Sequence, residues 1–340
     1  MRSVVFITQS IADKIAQDFT DYLNAWHSAP EVYDDALDAQ IHRWYADILS
    51  DKSRKVWPPR GIPYFSPSSA DTDPRALYEK VRGAKREISA SQPNQGRQTR
   101  IGTAIGDVIQ RDILFAEKHM SASRFAFERN DRGEPMFENF AQIAKRITHR
   151  GKQFALYGTC DGIMRYVSED GEVLRVGLEI KSKQSTYAKT SPYSMRNGAE
   201  DKHVKQCVCY SIMYDVDIYV IIYVNGARKA WDMSAEDFEK NPDIMAFGVY
   251  ITDADRAEIL DHFADIVTAA DSSTPPKTDI SRWTFNPYKR LISASLTDEE
   301  IAQIKREVSA IQRSGLPDWR KNSAVKALAE IMKLRNGGAA

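Results

Sequence analysis

The chain has 340 residues, with 47 Lys and Arg against 47 Asp and Glu, so its formal net charge is zero. A content of 42% apolar and 28% charged residues describes a globular protein and excludes a disordered one. No apolar run approaches the ~20 residues of a membrane-spanning helix, and zero net charge leaves any contact with a polyanion to local basic patches.

In chain order, Ile11, Ile15, Phe19, Leu23 and Trp26 recur at helical spacing, and Leu37, Ile41 and Trp44 continue the pattern in a second helix, so 11–50 is predicted to be helical. The N-terminal MRSVVFITQS has an apolar stretch of four residues, too short for a signal peptide, which points to the cytoplasm. Pro58-Pro59-Arg60-Gly61 ends the helical region. The stretch 62–100 is turn-rich, with one short helix near 75–86, and a longer helix is expected at 102–119. The period then changes: 152–183 reads as strands, 201–214 as a helix and 218–224 as a continuous apolar strand, with a further strand near 228–233. A helix over 253–270, a linker at 271–280 and two helices reaching about 313 and 335 complete the chain. The first of those two opens on the capping box Thr297-Asp298-Glu299-Glu300. Helix, strand, strand, helix, strand in the middle imply an α/β core with extra N- and C-terminal helices. The boundaries fall at 1–60 for the N-terminal helical segment, 61–275 for the core and 276–340 for the C-terminal helical extension.

The cysteines, Cys160, Cys207 and Cys209, are too few and oddly numbered for a disulfide framework. Cys207 and Cys209 lack the two-residue gap of a zinc knuckle. They read as buried free thiols.

The chemistry concentrates in one predicted hairpin. Leu174, Val176, Leu178 and Ile180 alternate with Arg175, Gly177, Glu179 and Lys181, so one face is apolar and the other sets Glu179 beside Lys181. The preceding strand holds Asp161, and Ser168-Glu169-Asp170-Gly171-Glu172 joins the two. A two-residue turn at Asp170-Gly171 would place Asp161 opposite Ile180, on the apolar face. A three- or five-residue loop places Asp161 opposite Glu179 and Thr159 opposite Lys181. The same register sets Cys160, Met164 and Tyr166 against Ile180, Val176 and Leu174, and burial of one apolar face favours it. Two carboxylates and an ammonium then converge. Close carboxylates repel, and a hard divalent cation, Mg²⁺ or Mn²⁺, is the usual remedy. The same pattern also suits a surface hairpin whose charged face is solvated.

Asp161…Glu179-Ile180-Lys181 resembles the PD-(D/E)XK nuclease superfamily, whose core is a mixed central sheet flanked by helices. Downstream, His203, Gln206 and Tyr210 share one helical stripe, similar to the Gln-x-x-x-Tyr motif of the RecB-like branch, which includes phage exonucleases. Phe65-Ser66-Pro67-Ser68-Ser69 and Asp73-Pro74-Arg75 resemble the opening of such domains. Asp73 occupies the place of a cysteine that often binds an iron–sulfur cluster there, so no cluster is implied. Gly102-x-x-x-Gly106-x-x-x-Gln110 sits where the branch carries Gly-x-x-x-His-x-x-x-Glu. Gly106 and Gln110 depart from it, and Asp107, Asp112 and Glu117 remain as substitutes from the same helix.

The resemblance covers about residues 62–225 and implies a Mg²⁺-dependent (or Mn²⁺-dependent) DNA exonuclease of recombination, replication or repair. Asp161, Glu179 and the Ile180 carbonyl would hold the metal, Lys181 would position water, and Gln206 and Tyr210 would fix the substrate strand. Gln110 would hold the first-motif position. DNA is the implied partner, with a recombinase or a single-strand-binding protein as a further one, and no membrane is involved. The segment from Lys181 to Gln206 is basic and carries Tyr187 and Tyr193. Lys183, Lys189, Arg196, His203 and Lys205 are expected to meet phosphates, and the tyrosines could stack on bases. A structure-specific endonuclease and an inactive nuclease fold that only binds DNA or protein are the alternatives.

Overall fold

Two N-terminal helices, α1 (Gln9–His27) and α2 (Asp35–Ser50), form where the sequence spacing places them. The computed structural model describes residues 8–88, 92–227 and 229–337; the N-terminal stretch read above therefore lies largely outside the described residues. Next come β1 (Tyr64–Phe65), α3 (Pro74–Val81), α4 (Pro93–His119), β2 (Phe125–Phe127) and the single turn α5 (Glu138–Ala141). Then follow β3 (Ile143–His149), β4 (Lys152–Gly158), β5 (Gly162–Val167), β6 (Val173–Lys183), α6 (Asp201–Tyr214) and β7 (Ile218–Asn225). The chain ends with α7 (Ala235–Lys240), β8 (Ile244–Tyr250), α8 (Asp253–Asp271), α9 (Lys289–Ser295), α10 (Asp298–Arg313) and α11 (Asp318–Arg335). Among the described residues no helix is long and apolar enough to cross a membrane.

The strands make a five-stranded mixed sheet, β2-β5-β6-β7-β8, and a three-stranded sheet, β1-β4-β3. β6 and β7 pair in parallel, which requires a crossover, and α6 supplies it. β7 carries no charged side chain and is buried on both faces. Tyr219, Ile221 and Tyr223 pack into a core shared with α6 and α8, while Ile218, Val220 and Ile222 pack into one shared with α1 and α4. This is a mixed α/β architecture with extra helices at both ends, as the order of elements in the sequence predicts.

Several sequence expectations shift. The stretch read as one strand through Thr159 and Asp161 is two strands in different sheets, β4 and β5, separated at 159–161. Thr159 therefore does not pair with Lys181, nor Cys160 with Ile180. The helix expected at 102–119 begins nine residues earlier, at Pro93. Its first turns are polar and exposed, so no apolar period marks them; Pro93 stands at the first helical position and the Gln95 side chain accepts from the Gln92 N–H at 2.9 Å. No strand forms at 229–233, and Arg228 lies outside the described residues. The strand beside β7 is β8 instead.

β8 was hidden because its inner face admits α1 through a glycine. A Cβ on Gly248 would sit 2.0 Å from the Ala12 carbonyl oxygen and 2.6 Å from the Asp13 nitrogen. Gln9 clamps the same contact, donating to the Gly248 carbonyl at 2.8 Å and accepting from the Tyr250 N–H at 3.0 Å. Because the obstacle is backbone, Gly248→Ala must move the whole helix. A destabilisation of about 3 kcal/mol, at the upper end for overpacking, is expected in urea denaturation, and an unchanged midpoint would show that α1 does not seat there.

The C-terminal helices have their own core around Trp283, Ile292, Ile304 and Ile331, and Ala76 of α3 belongs to it. Asp73, at the position the resemblance gives to a cluster cysteine, joins them to the rest. It accepts from the Arg75 N–H, the Asp279 N–H and Asn286 Nδ2 at 2.8–3.1 Å. The buried Arg75 guanidinium reaches Glu79, Glu300, Ser295 and the Pro276 carbonyl.

Candidate active site

The β5–β6 hairpin has the five-residue loop 168–172, with Val167 opposite Val173 and Gly162 opposite Leu178. Met164 and Tyr166 face Val176 and Leu174, as the apolar pattern predicts. β5 stops one residue short of Asp161, whose place in that register is across from Glu179. Instead of a ladder bond, the Asp161 side chain closes the gap: its Oδ2 accepts the Ile180 N–H at 2.6 Å.

Glu179 and Lys181 share a face with Ile221 and Tyr223 of β7. That face is not solvated. α6 covers it, and Glu179 is 1% exposed. A surface hairpin with a wet charged face is therefore excluded by burial. A buried carboxylate is costly unless it is paired and hydrogen-bonded, and Glu179 is only half satisfied. Oε1 pairs with Lys181, while Oε2 is buried without a partner. Burial, and then the charge of Asp161, push its carboxyl up to about 8. Asp161 is raised too, by burial, against the pull of the Ile180 N–H and Lys181.

Lys181 is braced from α6. Its Nζ donates to Gln206 Oε1 at 3.1 Å, and Gln206 Nε2 donates to Tyr210 OH at 2.9 Å. Burial lowers the ammonium's pKa, but the charges of Glu179 and Asp161 outweigh it and hold Lys181 above its ordinary value. Gln206 and Tyr210 thus lie on the expected stripe, but both are buried, and their polar groups are spent on Lys181 and on each other.

The expected basic contacts divide. Lys183 pairs with Glu200 and lies over the Tyr223 ring, and Lys205 pairs with Asp71 and Asp201. His203 bonds Tyr223 OH at 2.8 Å. Burial, and then the Lys181 charge, lower its pKa to about 3, so it stands neutral. Lys189 and Arg196 are exposed and have no acidic partner among the described residues; Arg196 lies over the Tyr193 ring. The loop carrying them is pinned by Asn225, whose Nδ2 donates to the carbonyls of Thr186 and Tyr187.

On α4, Gln110 arrives where the spacing places it: Nε2 donates to the Asp161 carbonyl at 2.9 Å. Gly102 packs against Ser182, whereas Gly106 faces open space. Of the three substitute acids, Asp112 bonds His27 and Glu117 bonds Arg129, leaving Asp107. One residue escaped the sequence reading. Glu138 of α5 is stitched to the segment before Asp161, its N–H donating to the Cys160 carbonyl at 3.1 Å and its carbonyl accepting from Thr159 Oγ1. No local pattern marks it, because its approach depends on that long-range pairing.

Among the described residues, no three His, Cys, Asp or Glu side chains gather closely enough to enclose a metal ion. Asp161 and Glu179 nevertheless fit one: two carboxylates raised by burial, with an orphaned Oε2, gain from a divalent cation that would neutralise both.

No family model matches the chain, and no curated protein matches it. Solved structures do overlap with it. One is a protein named SSO0001, 14% identical over 78% of this chain and 100% of that one, with a TM-score of 0.39. An alkaline exonuclease, LHK-Exo from Laribacter hongkongensis, is 12% identical over 62% of this chain and 89% of its own, with a TM-score of 0.34. A phage-related exonuclease from Haemophilus somnus 129PT is 14% identical over 61% and 80%, with a TM-score of 0.30. Overlaps this shallow add no weight to a function, which has to stand on the side chains.

Proposed function

We propose that this chain is a metal-dependent nuclease of the PD-(D/E)XK type, an exonuclease that hydrolyses phosphodiester bonds of DNA in recombination, replication or repair. The observation that carries the reading is Glu179: a fully buried carboxylate with one oxygen unpartnered, beside Asp161 and paired with Lys181. A fold retains such a group at a cost, and perturbed, desolvated acids concentrate at functional sites. When bound, Mg²⁺ or Mn²⁺ would stabilise charge on the scissile phosphate and acidify a water. Asp161, Glu179 and the Ile180 carbonyl would hold it. The Ile180 N–H fixes the Asp161 carboxylate, so one oxygen is oriented before any ligand arrives. Lys181, protonated and held by Gln206, presents its ammonium to the attacking water or the phosphate. Gln206 and Tyr210 act as positioning residues. Lys189 and Arg196 lie free to meet the strand beyond the site.

The test is digestion of end-labelled linear duplex and of covalently closed circles in Mg²⁺, with EDTA as control. Linear DNA should be consumed and circles spared, and activity should fall steeply with salt because phosphate contacts release counterions. Cutting of closed circles at defined sites would favour the endonuclease reading. DNA binding with no cleavage would favour the inactive module, a reading that Gln110 in place of an acid supports.

A further inference from the structure

His203 stands in the first turn of α6, against β7 and the end of β6. Its ring packs on Tyr223, with centroids 5.6 Å apart, and Nδ1 lies 2.8 Å from the Tyr223 hydroxyl oxygen. That oxygen already accepts the Glu200 N–H, also at 2.8 Å. A hydroxyl has one proton to give, and a neutral imidazole has one donor and one acceptor nitrogen. Among the described residues, His203 Nδ1 is the acceptor in reach of the Tyr223 proton. If Nδ1 carried the ring proton, two donors would meet at the Tyr223 oxygen. The hydroxyl proton would then have nowhere to go, in a side chain that is 0% exposed, and buried polar groups are rarely left so. With Nδ1 accepting, every group is satisfied, and the ring proton belongs on Nε2.

The charges around the ring act in the same direction. Lys181 and Lys183 face it from β6, and Glu200 and Lys202 from the start of α6. A second ring proton would take Nδ1 away from Tyr223 and add a cation beside three ammonium groups. Glu200, the one acid in that set, has both oxygens engaged, Oε1 by Lys183 and Oε2 by Lys202. Nε2 thus has a proton to donate and no acceptor among the described residues, and it is not sealed in the core. A neutral donor among ammonium groups is matched by an anionic oxygen.

We propose that His203 binds substrate by donating one hydrogen bond from Nε2 to a phosphate oxygen of the DNA strand, and that Tyr223 is the positioning residue that keeps the ring proton on Nε2. The choice of DNA phosphate rests on the nuclease reading; the place of the proton does not. His203 then differs from the lysines beside it. It adds direction to the contact rather than charge, its hold on phosphate does not change with pH near neutrality, and it transfers no proton.

The tautomer is read by long-range proton–nitrogen NMR on protein labelled at its histidine nitrogens, with His203→Gln to assign the signal. No DNA is needed. The Nε2–H form is expected from pH 5 to 8. In Tyr223→Phe the Nδ1–H form should appear, and the ring should take up its second proton at a higher pH than in the parent. The contact is read by binding of a fluorescent single-stranded oligonucleotide in EDTA, where the strand stays intact. His203→Ala should raise Kd about tenfold, as for a hydrogen bond to a charged partner. His203→Gln, whose amide keeps one acceptor and one donor, should recover most of that loss. The ratio of Kd between His203→Ala and the parent should be the same at pH 5.5 and pH 8, whereas in the Tyr223→Phe background it should grow at the lower pH. An Nδ1–H ring in the parent would overturn the inference, and so would His203→Ala binding the oligonucleotide as tightly as the parent. A parent that binds no DNA would sink the nuclease reading and the phosphate contact together, and the NMR result would separate that failure from one in the role of Tyr223.

Discussion

Asp161→Ala and Glu179→Ala are each expected to lower Mg²⁺-dependent DNA cleavage by about three orders of magnitude or more while the fold persists. A bound metal contributes several kcal/mol of charge stabilisation, and each ~1.4 kcal/mol is a factor of ten in rate. Either change removes one of the two carboxylates proposed to hold the metal. Folding should survive, because each substitution also relieves burial of a carboxyl group whose pKa is raised. Lys181→Ala should behave differently. It strips Glu179 Oε1 and Gln206 Oε1 of their buried donor, so a loss of about a hundredfold, in the range of a positioned proton-handling group, should come with lower stability. Single-turnover rates on end-labelled DNA, with circular dichroism as the folding control, check all three. Cleavage retained in either carboxylate variant would sink the assignment.

What the sequence disclosed follows the range over which each feature is decided. The site pair was legible because β6 alternates strictly and its loop is short: burial of Met164 and Tyr166 against Val176 and Leu174 leaves one register, and that register brings Asp161 to Glu179. Gln206 and Tyr210 were legible as a stripe, but their burial was not, because nothing local says that α6 lays them over Lys181. The same covering turned Lys183 and Lys205 from expected phosphate contacts into ion-paired residues. β3 escaped because Lys145, Arg146 and Thr148 interrupt its apolar positions, as suits an exposed edge strand. β8 escaped because Gly248 gives up a side chain to let α1 approach. Glu138 escaped for the most distant reason, a pair of hydrogen bonds to residues more than 20 positions away.

Glu179→Gln should stabilise the metal-free protein at pH 8 and change little at pH 5. The sign follows from the proton count. In the unfolded chain this carboxyl titrates near its ordinary value of 4.5, while in the folded protein burial and the Asp161 charge hold it at about 8. Between those values the folded state keeps a proton that the unfolded state has released. Stability from this group is therefore greatest below the unfolded pKa and is lost as pH rises through the window from about 4.5 to 8, with a limiting slope of ~1.4 kcal/mol per pH unit. Asp161, also raised, adds a slope of the same sign. Lys181 adds none there, because its raised pKa acts only above the ordinary lysine range. Gln keeps the size of the side chain and carries no charge to desolvate, so the variant should gain a few kcal/mol over the parent at pH 8 and above. Urea denaturation in EDTA from pH 5 to 8.5 measures the difference, and subtraction cancels the titrating groups remote from Glu179, Asp73 included. Saturating Mg²⁺ should then reverse the order at pH 8, since an ion that binds only the folded state stabilises by mass action and the variant has lost a ligand. Parallel pH curves for parent and variant in EDTA would show that Glu179 does not carry a strained charge, and with that the strongest physical argument for a metal at this site would fall.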